Sequence, residues 1–120
     1  METNVRKILG FLAFFLPAVA SLATNPPVSG TPYEWSGPGT LQLAVPVTLN
    51  PTSTAAATAT LGIGASSTTA TSIMDQASRP DTLTAAAGEI VNLRVEVPAG
   101  WYYEVTATNA TIGTATAIVH

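Results

Sequence analysis

The sequence predicts an all-β fold, a small antiparallel sandwich or barrel, on three observations. Several segments alternate apolar and polar residues with period two, the pattern of half-buried strands. Turn residues separate these segments at short spacing, as in small sandwiches and barrels. No convincing amphipathic helix is predicted after the N-terminal segment. A chain of 120 residues is long enough for one domain with a modest core.

The first two predicted strands lie in residues 40–50 and 57–64. In the first, every second residue is apolar: Leu41, Leu43, Val45 and Val47. Pro46 lacks a backbone N–H and therefore favours an edge position for this strand. The second strand belongs to the Ala/Thr/Ser/Gly tract of residues 52–72, whose composition also suits a glycosylated or disordered stalk. The tract holds no proline and alternates regularly, which favours strands.

Residues 65–74 are a weaker third candidate, and the segment DQASRPD after them is predicted to be a turn or loop. Two strands then flank the sequence PAG, and the short connection predicts that they pair as a hairpin. Their apolar faces complete the predicted core of the body with Val91, Leu93, Val95, Val97, Trp101, Tyr103 and Val105. A last strand follows a turn around Asn109 and Gly113.

Residues 1–23 carry the strongest hydrophobic signal of the chain. Basic residues, an apolar run and small residues around Ala20 and Ala23 follow the layout of a cleaved secretory signal. A spanning helix needs about 20 apolar residues, and Pro17 interrupts this run. The large apolar residues are Ile8, Leu9, Phe11, Leu12, Phe14, Phe15 and Leu16. Their burial would gain on the order of 10–20 kcal/mol, so the segment is either removed or covered as an anchor or plug.

Residues 24–40 hold four prolines and three glycines and are predicted to form an extended arm. The arm joins the N-terminal segment to the β body of residues 41–120. Tyr33 and Trp35 are two positions apart and lie on one side of an extended strand. They contact either a neighbouring subunit or the chain's own core. With the seven large apolar residues of the N-terminal segment, they form the predicted assembly interface.

The residues that carry chemistry are sparse, so no enzyme activity, metal or cofactor is expected. Charged residues make up 9% of the chain and the net charge is -3, which disfavours nucleic acid as a partner. The chain has no cysteine, and its only histidine, His120, cannot supply a catalytic triad or a His-rich metal site. Glu96 and Glu104 would face each other across the predicted hairpin, but such carboxylates are more often surface charges than a catalytic pair.

The sequence VPAGWYYEVTATNATIG, residues 97–113, resembles the C-terminal ending of small virion proteins of tailed bacteriophages. These include head decoration (cement) proteins, head fibres and some tail-fibre modules. The resemblance implies a β-rich, non-enzymatic structural protein that oligomerises, often as a trimer, and binds a capsid or tail surface. The strong apolar leader of this chain departs from the decoration proteins and leaves the mode of attachment open.

We expect a structural virion protein whose N-terminal segment and arm bind the major capsid or tail protein and further copies of the chain. The alternative is an exported bacterial β-sandwich, secreted or at the cell surface, that serves adhesion after cleavage near Ala20 or Ala23. A membrane-associated protein of a lipid-containing virus is the weaker third option. Nucleic acid is not an expected partner in any of these.

Overall fold

A computed structural model shows two antiparallel sheets packed against each other, which confirms the predicted all-β fold. It describes residues 18–70, 72–81 and 87–120. In chain order the strands are β1 (Ala18–Val19), β2 (Pro32–Glu34), β3 (Leu41–Leu49), β4 (Ala57–Gly64), β5 (Ser72–Arg79), β6 (Glu89–Val97), β7 (Tyr102–Thr108), β8 (Ala110–Ile112) and β9 (Thr116–Val119). The first sheet has the order β1-β9-β3-β6, with β8 also paired to β3, and the second has the order β2-β7-β4-β5.

Strand β3 is central in the first sheet, so the edge position predicted from Pro46 is wrong. On one side β3 pairs with β6 along its whole length. On the other side β9 pairs with Leu41–Ala44 and β8 pairs with Val47–Leu49. Pro46 lies where one partner strand ends and the next begins, and its carbonyl accepts the N–H of Gly113 at 2.8 Å. A residue without an N–H is tolerated at this break in the pairing.

The core lies between the two sheets and takes the inward residues of alternating positions, as period two requires. Of the predicted core, the structure buries Leu41, Leu43, Val45, Val47, Leu93, Val95, Val97, Tyr103 and Val105. Val91 is half-buried and packs against this cluster. Buried residues that were not predicted come mainly from β4, which supplies Ala57, Ala59, Leu61 and Ile63. The Ala/Thr tract therefore contributes a strand to the core and is not a stalk.

The two strands that flank PAG do not pair with each other, so the predicted hairpin is wrong. Strand β6 pairs with β3 in the first sheet, whereas β7 pairs with β2 and β4 in the second. Residues 98–101 carry the chain from one sheet to the other. Trp101 lies in this turn, donates its N–H to the Pro98 carbonyl at 3.0 Å, and has 38% of its surface exposed. It is therefore not a core residue.

The third strand is displaced towards the C terminus from its predicted position. Residues 65–70 form a turn, and β5 runs through most of the segment predicted to be a loop. None of its residues is fully buried. Strand β5 is held by its pairing with β4, so apolar alternation, which reports burial of one face, does not mark it.

The segment predicted to be an arm lies along the body of the protein. Gly30 donates its N–H to the Val105 carbonyl at 2.8 Å, and β2 pairs with β7. Thr40 and His120 then exchange both backbone hydrogen bonds, at 2.9 and 3.0 Å. The chain thus crosses from β1 in the first sheet to β2 in the second and returns to β3. Residues 18–40 are part of the sandwich rather than an extension from it.

Candidate assembly site

The described residues contain no cluster of metal-binding side chains, and they separate the two carboxylates considered from the sequence. Among residues 18–70, 72–81 and 87–120, no group of three or more His, Asp or Glu side chains could hold a metal ion. Glu96 lies on β6 in the first sheet, where its carboxylate is 3.4 Å from His120 Nε2. Glu104 lies on β7 in the second sheet. The carboxylate pair considered from the sequence is therefore not formed across two neighbouring strands.

In the part of the chain that the structure describes, no helix is long and apolar enough to cross a membrane.

Edge strands β5 and β6 meet on one lateral side of the sandwich, here called the β5–β6 seam, and charged side chains join them. Arg79 donates from Nε to Glu89 Oε2 at 2.7 Å and from Nη2 to Oε1. The backbone N–H of Arg94 donates to Asp75 Oδ2 at 2.9 Å. Charged side chains on edge strands hinder pairing with the sheet of another molecule. These contacts hinder strand addition at the β5–β6 seam, whose strands also expose Ile73, Met74 and Ile90.

The ion pair of this seam also sets the protonation of its carboxylate. Hydrogen bonding to Arg79 lowers the pKa of Glu89 below its ordinary value, with a smaller contribution from the charge of Arg79, while desolvation opposes the shift. Both side chains are about a third exposed, at 30% for Arg79 and 39% for Glu89. The pair therefore stays ionised at neutral pH, and solvent screens it.

The opposite lateral side, the β1–β2 seam, is defined by edge strands β1 and β2 and has a different character. It contains an open hollow of about 200 Å³ between residues 21–23 and residues 33–36. Three aromatic residues and a leucine supply its apolar walls: Tyr33, Trp35, Tyr103 and Leu22. Ser21, Glu34 and Ser36 add polar groups. We call this feature the aromatic hollow.

The sheet holds the rings of the aromatic hollow in place. Tyr33 and Tyr103 are paired across β2 and β7, and their ring centroids are 5.7 Å apart at an interplanar angle of 35°. This distance is within the range of favourable aromatic contacts. Burial raises the pKa of Tyr103, with a smaller effect from Tyr33, so the phenol stays neutral. Trp35 donates from Nε1 to the Gly39 carbonyl at 3.0 Å.

Two neighbouring groups complete the positioning of these side chains. The Tyr33 hydroxyl accepts the N–H of Val28 at 3.1 Å. Gly37 lies against the Trp35 ring so closely that a Cβ at this position would overlap it. The polar atoms of the two rings are therefore engaged with backbone groups, and a larger residue at position 37 would displace the indole from this position.

Tyr33 and Trp35 pack, partly buried, against the chain's own core. This is one of the two contacts predicted for them, and both also line the aromatic hollow. The other predicted interface residues, in the apolar run of residues 8–16, lie outside the described residues. Sequence reasoning missed Leu22, because it lies within the small-residue pattern interpreted as a cleavage site.

The residues that follow the apolar run belong to the first sheet. Ala18 and Val19 pair with Val119 and Ile118, and Ala20 donates its N–H to the Ala117 carbonyl at 2.9 Å. Leu22 is partly buried against the core. The predicted apolar segment therefore precedes, without a linker, a strand of the sandwich.

Comparisons with protein-family models, with curated proteins and with solved structures found no match to this chain.

Proposed function

We propose that this chain is a non-enzymatic structural virion protein that stabilises or decorates a phage capsid or tail. Residues 8–16 bury their apolar side chains against the major capsid or tail protein and against further copies of the chain, including in a trimer. The observation that carries this proposal is the integration of residues 18–23 into the sandwich. Because β1 pairs with β9, the apolar run is joined directly to the folded body.

The same observation weakens the exported alternative. Cleavage after Ala20 would remove β1 and leave the outer edge of β9 unpaired, and cleavage after Ala23 would also remove the core contact of Leu22. A signal peptide is removed from the mature protein, and here both predicted cleavage points lie inside the fold. An uncovered edge of β9 would also offer a template for unwanted pairing. These consequences support a segment that stays attached.

The composition supports work in an assembly rather than as a freely diffusing molecule. With 9% charged residues, against roughly 25% in ordinary soluble domains, the surface is built largely from uncharged residues. Such a surface gives little electrostatic repulsion between copies. Close packing of many copies on a particle therefore carries a small electrostatic cost.

The test replaces Phe14 with aspartate in the full chain. An unpaired carboxylate costs several kcal/mol to bury, so Phe14→Asp should block incorporation into particles while the sandwich stays folded. Phe14→Leu, which keeps an apolar side chain, is the matched control and should incorporate normally. Copies per particle are measured by quantitative mass spectrometry and folding by circular dichroism. Normal incorporation of Phe14→Asp would refute the proposal.

Intact mass of the protein in purified particles separates the two candidate functions. Copies that retain residues 1–23 support the attached segment. Copies that begin near Ser21 or Thr24 would overturn it and favour the exported protein.

A further inference from the structure

We propose that the aromatic hollow of the β1–β2 seam seats a phenylalanine side chain from residues 8–16 of a second copy of this chain. The inference rests on the proposed function, because it names the surface on which a retained apolar segment is buried between copies.

The size and lining of the hollow suit one aromatic ring. Its volume is about 200 Å³, and an apolar cavity of about 150 Å³ suffices to bind benzene. Tyr33 and Trp35 present ring surfaces on which another ring can pack edge-to-face or offset, and the buried Tyr103 ring lies behind them. The Trp35 Nε1 proton and the Tyr33 hydroxyl are already bonded to backbone groups. The rings and Leu22 therefore offer the hollow an apolar surface on which a ring can pack, beside the polar groups of Ser21, Glu34 and Ser36.

The chain itself carries a matching occupant. Its three phenylalanines, Phe11, Phe14 and Phe15, all belong to residues 8–16, and none lies in the rest of the sequence. The segment joins the fold at Ala18, on β1, which is one border of the β1–β2 seam. The apolar run therefore comes, in the sequence, just before a strand that borders the seam containing the hollow.

The direction of the chain favours binding of the segment to the hollow of a second copy over binding to the hollow of the same copy. From Ala18 the chain runs along β1 towards residues 21–23, which line the hollow, and residues 8–16 precede β1 in the sequence. With a rise of about 3.3 Å per residue, residue 22 lies roughly 13 Å from Ala18 along an extended chain. The segment would have to reverse direction to fill its own hollow. A neighbouring copy can present its segment without that reversal.

The two seams of the sandwich present different groups. The β5–β6 seam carries the Arg79–Glu89 ion pair and the contact of the Asp75 carboxylate with the backbone N–H of Arg94, which hinder strand addition there, and its strands also expose Ile73, Met74 and Ile90. The β1–β2 seam carries both the strand that follows the apolar run in sequence and the aromatic hollow. Each copy then gives one segment and receives one, an arrangement that closes as a dimer or ring.

The test places a photoreactive benzophenone side chain at position 14 of the full chain. Equal amounts of ¹⁵N-labelled and unlabelled protein are mixed, irradiated, digested and analysed by mass spectrometry. We expect cross-links from position 14 to residues 21–36 or to Tyr103, joining labelled to unlabelled peptides. Cross-links that leave every chain monomeric on a denaturing gel would overturn the second copy as donor. Cross-links to other parts of the sandwich, or none between copies, would overturn the hollow as the site.

A second pair of variants tests occupancy of the hollow. Ala23→Phe places a ring at its rim and should lower the yield of cross-links between copies by about tenfold or more, since burial of one ring is worth at least that factor. Ala65→Phe adds the same ring in the exposed turn after β4 and should leave the yield within about twofold. Equal yields for the two variants would contradict the inference.

The failures of this inference and of the proposed function are distinguishable. Cross-links elsewhere, with Phe14→Asp still excluded from particles, would refute only the aromatic hollow as the docking site. Normal incorporation of Phe14→Asp would refute the proposed function itself.

Discussion

The side chain of Asn25 replaces a missing strand partner, and its removal is the sharpest test of the fold. Asn25 Nδ2 donates to the Ala115 carbonyl at 2.9 Å, and the Ala115 N–H donates to Asn25 Oδ1 at 2.8 Å. Ala115 lies between β8 and β9, where the pairing with β3 changes from one strand to the other, and is 5% exposed. Asn25→Ala leaves both backbone groups of Ala115 without these partners.

The expected cost follows from these two hydrogen bonds. Each is worth about 0.5–1.5 kcal/mol net, so the pair contributes about 1–3 kcal/mol. Asn25 itself is exposed, so water can enter the vacated position and limits the penalty to this range. Asn25→Asp keeps an acceptor for the Ala115 N–H but loses the donor to the carbonyl, and should lose at least half as much stability.

The assay is urea unfolding of the full chain, followed by circular dichroism. Asn92→Ala is the matched control, because Asn92 is exposed on β6 and its side chain makes no hydrogen bond within the described part of the chain. The control should change the free energy of unfolding by less than about 0.5 kcal/mol. Amide hydrogen exchange at Ala115 should accelerate in Asn25→Ala alone. If the Asn25 and Asn92 variants are equally stable, the role assigned to Asn25 is wrong.

Two further predictions concern a tight turn and the charged seam. Gly64→Ala should destabilise the protein by about 3 kcal/mol or more, because the added Cβ would overlap the Thr69 carbonyl. Gly88→Ala is the control: Gly88 has a positive φ but open space around it, so this change should cost only about 1–2 kcal/mol. Equal melting temperatures of the two variants would contradict this prediction. Because the pKa of Glu89 is lowered in the folded protein, its ion pair with Arg79 stabilises the fold at pH values above 4.5, the ordinary pKa of a glutamate. This stabilisation is lost as the pH falls below that value. Native protein should therefore lose more stability than Glu89→Gln on acidification below pH 4.5, and parallel pH profiles would show that the pair contributes nothing.

The sequence alone was sufficient for the fold class and for most of the buried strands. In β3, β6 and β7 one face is apolar, and burial of one face produces period-two alternation within a single short segment. This property is local, so it can be recognised without knowing the partner strands. Nine of the eleven residues predicted for the core are buried, Val91 is half-buried, and Trp101 is partly exposed in the turn before β7.

Only the tertiary structure decided which strands pair and where the candidate site forms. A short connection such as PAG suits both a hairpin and a crossing between stacked sheets, and the distinction depends on the partners β3 and β4, which are remote in sequence. The formation of strand β5 and the path of residues 24–40 along the sandwich likewise depend on contacts with neighbouring strands rather than on the composition of these segments. Tyr33 and Trp35 could be named from their spacing, but the hollow they line also needs Leu22 and Tyr103. Periodicity reports burial of one strand, whereas a site between sheets is set by contacts between distant parts of the chain.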